Sequence, residues 1–374
     1  MTGTGGSTSR LRRPWPYRLA LLAALTVAWF FVFEAALRVY GGSEAAPAFQ
    51  QLFMPDPATG HRLRPGASTE FTTAEFSTTI TINAQGVRDD EPIGPKAAGE
   101  RRVVVLGDSI VLAVQVEARQ TFCERLEAQL NQRRDGRRYR VINAGVQGYG
   151  PMEEVRFFET IASAFEPDLV LVVTFVANDA VEAKDRAWRL DRDGGVGREE
   201  AERRVRRVVR RSMVLQIVKQ RADQVLERVR PARQPSPDRR LLSYATPLRG
   251  DIAEGLANSA RAVTRIASAA TARGARTAIA LVPARFQVDE ADYGRIRGGV
   301  TRFGFEMGID AASTRFADTY GPVGLPMVDL LPAFRHSDQP LRTFFERTAH
   351  LTPYGHQIAA DALAQFIDRQ SLLP

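Results

Sequence analysis

The stretch RRVVVLGDSI, residues 101–110, decides the fold. Val103, Val104, Val105 and Leu106 form an unbroken apolar run, the pattern of a strand buried on both faces of a parallel sheet. Gly107 permits a tight turn after it, and Asp108 and Ser109 are residue types that open helices. A strand that turns directly into a helix sets Ser109 at the carboxyl edge of the sheet, where ligands bind in open α/β folds. There the backbone N–H groups and positive dipole of a helix N-terminus would face an oxyanion beside Ser109. Taken alone, the triplet reads equally well as a plain helix cap.

Further strand candidates, most of them nearly continuous apolar runs, recur at 139–143, 169–175, 277–282 and 327–330, with helical segments between them. Together with 102–106 they predict a central five-stranded parallel sheet between two helical layers, a three-layer α/β/α sandwich. The alternation breaks between about residues 183 and 240. There Val205, Val208, Val209, Leu215 and Val218 approach helical spacing, with Arg203, Arg206, Arg207, Arg210 and Arg211 among them. The spacing predicts an amphipathic helix followed by the Pro-rich linker PARQPSPDRR. Its arginines suit a solvated face, anionic lipid head groups or a lid over the site.

Upstream, residues 41–100 are rich in Pro, Gly and Thr, and EFSTTITIN at 75–83 alternates as a strand does. This part reads as a stalk with a small β appendage packed at the edge of the main domain. Residues 19–40 open with the apolar run LALLAALTVAWFFVF and are about as long as a bilayer requires. In the basic leader, 1–18, Arg10, Arg12, Arg13 and Arg18 place the N-terminus in the cytoplasm by the positive-inside rule. The chain is thus expected to be a single-pass protein of the cell inner membrane, with the domain that follows periplasmic or extracellular. Trp29, Phe30, Phe31 and Phe33 occupy the place of small cleavage-site residues, which favours a retained anchor over a removed signal peptide. Glu34, near the outer end, is expected to reach water.

Lys and Arg outnumber Asp and Glu by 51 to 43, a formal charge of +8, but the excess lies in the leader and around 198–240. Those basic residues lack the interleaved aromatics of a nucleic-acid surface, so no nucleic-acid partner is expected. The lone Cys123 excludes an intrachain disulfide and reads as core filler on a helix. No group of His, Cys and carboxylate has metal-ligand spacing, and no glycine-rich phosphate loop occurs. No metal and no cofactor are therefore expected.

Three further polar motifs fall near the ends of these elements. The second strand ends in Asn143, Ala144 and Gly145, the third is followed by Asn178 and Asp179, and His350 stands in AHLTPYGH at the start of the last helix. With the GDS triplet these blocks resemble, in chain order, those of the SGNH or GDSL-like hydrolases. The resemblance runs over 101–374 with the insertion left aside. It implies the SGNH hydrolase fold, with flavodoxin-like strand order. It also implies Ser109 as nucleophile, His350 as base, and an oxyanion hole from the Ser109 and Gly145 amides and the Asn178 side chain. Ile82, Asn83, Gly86, Val87, Arg88 and Asp89 are similar to an appendage of membrane-anchored bacterial members.

The chemistry is coherent without the name. A serine hydroxyl is a weak nucleophile until a base takes its proton, and a histidine can accept that proton and later return it. The implied reaction is two-step acyl transfer through an acyl-Ser109 intermediate on an acylated small molecule, carbohydrate or lipid. Water as acceptor makes an esterase, a sugar hydroxyl an O-acyltransferase.

Family members usually carry an Asp two or three residues before the histidine, where this chain has Thr348 and Arg347. Three readings follow. Glu346 serves as the acid; a backbone carbonyl holds the ring in a Ser–His dyad; or the chain is an impaired, anchored protein that binds a glycan or partner with the same fold. Val176 and Ala113 also stand where relatives have Gly. Of the remaining polar residues, Asp108 is expected to support the turn, His356 to be a packed structural residue, His61 and His336 to lie on the surface, and Asp329 to brace the histidine loop.

Overall fold

The computed structural model of the protein describes residues 15–40, 48–133, 135–185, 214 and 236–373. The chain divides into two compact units, Met1–Ala46 with Gly194–Gln234, and Pro47–Asp193 with Pro235–Pro374. In the first, helix α1 (Trp15–Tyr40) contains a segment, Trp15–Ala35, long and apolar enough to cross a membrane, with mean hydropathy 1.7. A signal sequence passes the same test. Its Trp29, Phe31 and Val32 side chains are exposed. Glu34, expected to reach water, is instead buried, and its carboxylate accepts the Val214 N–H at 3.1 Å. A buried carboxylate needs such a donor. Arg10, Arg12 and Arg13 and the arginine-rich part of the insertion lie outside the described residues.

The second unit begins with two antiparallel hairpins, β1 (Phe53–Asp56) with β2 (Gly60–Leu63) and β3 (Ser68–Thr72) with β4 (Ser77–Thr81). They do not form a stalk. Leu52, Leu63, Ile80, Ile82 and Val87 are buried in one apolar cluster with Tyr149, Met152 and Val155 of the main fold. Removing such side chains from water stabilises the hairpins against the sheet domain, since an isolated two-stranded hairpin is marginal by itself.

The later strands are β5 (Glu100–Gly107), β6 (Arg138–Gly145), β7 (Leu169–Phe175), β8 (Ala245–Thr246), β9 (Arg276–Val282), β10 (Glu306–Met307) and β11 (Met327–Asp329). β8 pairs with β10; the other five form a parallel sheet in the order β11-β9-β7-β5-β6. This is the flavodoxin-like order, and the chain reverses its direction of growth between β5 and β7, which opens a crevice at their carboxyl ends.

The principal helices of this unit are α2 (Ser109–Leu112), α3 (Phe122–Leu130), α4 (Pro151–Thr160), α5 (Asp179–Asp185), α6 (Gly250–Thr271), α7 (Ala311–Tyr320) and α8 (Pro353–Arg369). Alternate strand residues point to opposite faces. Val104, Leu106, Val170, Val172, Ile279 and Leu281 share a core with apolar residues of α4, α6 and α7. Val103, Val105, Leu171, Val173, Ala278 and Ala280 share the other with α3 and α8. The result is a three-layer α/β/α sandwich. In β5, Val103, Val104, Val105 and Leu106 are fully buried. Burying these four side chains contributes on the order of 10 kcal/mol before conformational entropy is subtracted. Cys123 sits in the α3 core, where burial pushes its thiol well up.

Candidate active site

Ser109 is placed by the close approach of α2 to two strand ends. A Cβ on Gly107 would lie 2.3 Å from Val111 Cγ2, and one on Gly145 would lie 2.4 Å from the Leu112 nitrogen. Neither glycine can carry a side chain while α2 folds back across β5 and β6. Asp108 caps the turn as expected, its Oδ1 accepting the Ile110 N–H at 2.8 Å. α2 ends at Ala113 in the left-handed region, φ 55°. This accounts for the glycine preferred there in relatives. Because α2 is a single turn, the macrodipole expected at its N-terminus adds little. The useful group is the Ser109 N–H itself, which as a first-turn amide has no intrahelical acceptor.

His350 comes from a loop pinched shut just ahead of α8. Phe344 and Leu351 form an isolated antiparallel bridge, and the Phe345 N–H donates to the His350 carbonyl at 2.8 Å. Ala349 takes a left-handed conformation, φ 54°. This turns the Thr348 carbonyl toward the ring, 2.8 Å from His350 Nδ1. A carbonyl only accepts, so Nδ1 carries the proton and Nε2 is the acceptor. Nε2 lies 3.0 Å from Ser109 Oγ. The structure thus brings Ser109 and His350 into the arrangement a serine nucleophile requires, with a backbone carbonyl where the triad acid usually stands.

Glu346 is not that acid. Its side chain is exposed, both ring nitrogens of His350 have other partners, and its carbonyl accepts from Arg285 Nη1 at 2.6 Å. The loop is instead met by Glu75, from the turn of the β3–β4 hairpin. Glu75 Oε1 accepts the Arg347 N–H at 2.7 Å, and Oε2 accepts the Thr348 N–H at 3.0 Å. Phe76 packs beside Phe345, ring centroids 5.7 Å apart. Nothing in the sequence singled out Glu75 beyond its place at the head of an alternating segment.

The expected oxyanion donors are differently engaged. The Gly145 N–H donates to Asn143 Oδ1 at 3.1 Å, and Asn143 Nδ2 in turn holds the Val111 carbonyl at 2.7 Å. Gly145 therefore serves first the packing of α2. Asn178 Nδ2 donates to Asp108 Oδ2 at 3.2 Å and reaches Glu182 Oε1 at 3.5 Å, while its Oδ1 is buried without a partner among the described residues. Below it lies a buried acidic group. Burial pushes the carboxyls of Asp108, Glu154 and Asp179 up, and their mutual repulsion adds to the rise for Glu154 and Asp179. Asp179 Oδ2 ties the loop by accepting the Phe175 N–H at 2.9 Å.

Around the site, His356 is buried and its Nδ1 accepts the Phe122 N–H at 3.1 Å. Burial drives it down to about 3, so it remains neutral. Asp329 does not brace the histidine loop; its Oδ1 caps the short helix that follows by accepting the Leu331 N–H at 2.9 Å. His61 is half-buried, its Nε2 2.8 Å from the Gln147 carbonyl, and so joins the first hairpin to the loop after β6. His336 is exposed.

Residues 244–374 match the family model described as "SGNH hydrolase-like domain, acetyltransferase AlgX". The match includes His350 and begins after Ser109. Similar solved structures include TesA, at 14% identity over 73% of this chain and 100% of that one, TM-score 0.41. A lipase/acylhydrolase from Enterococcus faecalis matches at 16% identity over 72% and 96%, TM-score 0.41. The acetylxylan esterase Axe2 from Geobacillus stearothermophilus matches at 14% identity over 71% and 94%, TM-score 0.39. No curated protein matches the chain. Residues 244–374 are thus similar to an SGNH hydrolase-like domain over the segment that carries His350, and the fold sets a Ser–His pair at the switch point of a flavodoxin-like sheet.

Proposed function

We propose that the protein is a membrane-anchored serine acyl-transfer enzyme, an esterase or O-acyltransferase acting on acylated cell-surface carbohydrate or lipid. The observation that carries this reading is the 3.0 Å contact between Ser109 Oγ and His350 Nε2, in a ring whose Nδ1 is already held by the Thr348 carbonyl. His350 takes the Ser109 proton as Oγ attacks the ester carbonyl. The Ser109 N–H faces the resulting oxyanion, and the alcohol leaves with the proton from His350. Water or a sugar hydroxyl, deprotonated by the same ring, then releases the acyl group. The matching family is described as an acetyltransferase, which supports acetyl as that group. The apolar α1 supports an anchor, with the catalytic unit on the periplasmic or extracellular side.

One observation favours the second reading, an impaired protein that binds a glycan or partner: Gly145, an expected oxyanion donor, gives its N–H to Asn143. Labelling of the full-length protein in detergent with a fluorophosphonate separates the two. Under the first reading the wild type is labelled, and Ser109→Ala and His350→Ala lose labelling by about 10³-fold or more. A folded wild type that takes up no probe sinks the enzyme reading.

A further inference from the structure

The β3–β4 hairpin does more than pack against the sheet domain. Its Glu75 reaches across 272 and 273 positions of chain to bind two successive amides, those of Arg347 and Thr348. Successive backbone N–H groups converging on one carboxylate form an anion-holding nest. The residue it holds is the one whose carbonyl fixes the His350 ring. The loop between Phe344 and Leu351 is also closed by the isolated bridge, which includes the Phe345–His350 backbone bond, and by Arg285 on the Glu346 carbonyl. None of those bonds falls on Thr348 itself, whose N–H is held by Glu75. The Phe76–Phe345 contact seats the same turn on the same loop.

We propose that Glu75 is a positioning residue for His350: its carboxylate pins Thr348 so that the Thr348 carbonyl holds Nδ1–H and leaves Nε2 facing Ser109, replacing the acid that relatives carry next to the histidine. This rests on the acyl-transfer reading for its consequence in rate, though not for its consequence in geometry. Glu75 does not touch the ring or the reacting atoms. Its effect is transmitted through one residue of backbone, so its loss leaves a carbonyl that can still bind Nδ1–H part of the time. The expected loss is smaller than the ~10⁴-fold of replacing a direct triad acid.

Two readouts on the full-length protein test this. In Glu75→Gln, fluorophosphonate labelling is expected to slow by roughly ten- to a hundredfold, with Glu75→Asp recovering part of the rate because the anion is retained. The chain has only four histidines. Selective ¹⁵N-imidazole NMR, with the His350 signals identified by His350→Ala, therefore reads the ring tautomer directly. The wild type is expected to hold His350 as the Nδ1–H form and Glu75→Gln to show a mixture of tautomers, with the other three rings unchanged. Wild-type labelling and an unchanged His350 signature in Glu75→Gln overturn the proposal while leaving the enzyme reading intact. If the wild type takes up no probe, the enzyme reading fails and the tautomer comparison still decides the position of the ring. A Glu75→Gln chain that unfolds is replaced by Glu75→Asp, whose His350 signature must then lie between the wild-type form and the tautomer mixture; a wild-type signature overturns the proposal.

Discussion

At the scale of single residues, two histidines six positions apart have been given opposite environments. His350 sits at the site edge with a donor on one nitrogen and an acceptor on the other, whereas His356 is sealed between α8 and α3. Burial lowers His356 from its ordinary 6.5 to about 3. Between those values the unfolded chain binds a proton that the folded protein refuses, so the contribution of His356 is full above about pH 6.5 and is lost as pH falls toward 3. His356→Asn, which keeps an acceptor for the Phe122 N–H, removes the titration. Urea denaturation at a series of pH values is expected to show the stability difference between wild type and variant shrinking by about 1 kcal/mol per pH unit below pH 6. Comparing the two proteins at each pH cancels the opposite contribution of Asp108, Glu154 and Asp179, whose raised values favour the folded state in acid. Parallel pH slopes for the two proteins would refute the assignment.

At the scale of elements, the Ser109 helix α2 is too short to hold itself and is clamped from outside. Two glycines let it lie against the strand ends, and Arg88 finishes its far end. The buried Arg88 guanidinium donates to the carbonyls of Leu112, at 2.8 Å, Ala113, and Val116, at 2.5 Å. Burial lowers it to about 10, which leaves it charged at neutral pH. Arg88→Met strands those carbonyls in the core, and the expected cost is about 3 kcal/mol or more, read as a drop in the urea midpoint. Arg88→Lys is expected to recover little, because one ammonium cannot span the three acceptors. A variant as stable as wild type would show that water replaces the guanidinium. The hairpin contributes to the same clamp, Thr78 Oγ1 donating to the Val114 carbonyl at 2.7 Å. Its turn holds the histidine loop, so one appendage meets both the segment that follows α2 and the loop that carries His350.

At the scale of the whole molecule, the chain joins a helix long and apolar enough to cross a membrane to an α/β fold. If α1 is a retained anchor, full-length protein stays with membranes through carbonate washing and a chain lacking residues 1–40 appears in the soluble fraction. Release of the full-length chain, or a mature N-terminus near residue 40, would show a signal sequence instead. How much of this was legible follows from how each feature is encoded. The apolar runs in β5, β7 and β9 pointed to the parallel sheet, because burial on both faces imposes continuous apolar sequence on contiguous residues. Ser109 and His350 were legible because strand ends and a helix start gather such motifs at one sheet edge. Of the readings open for the missing acid, proximity in sequence offered Glu346, but the loop's left-handed turn at Ala349 presents a backbone carbonyl to the ring instead. The partners of Gly145, Asn178 and Thr348 were likewise invisible. Periodicity and turn chemistry are local and can be read along the chain, so sequence alone determined the sheet, the two residues that meet at its edge and the apolar helix. The partner of a buried polar group is chosen by proximity between segments hundreds of residues apart, as Glu75 and Thr348 are, and only the tertiary structure decided what orients the histidine.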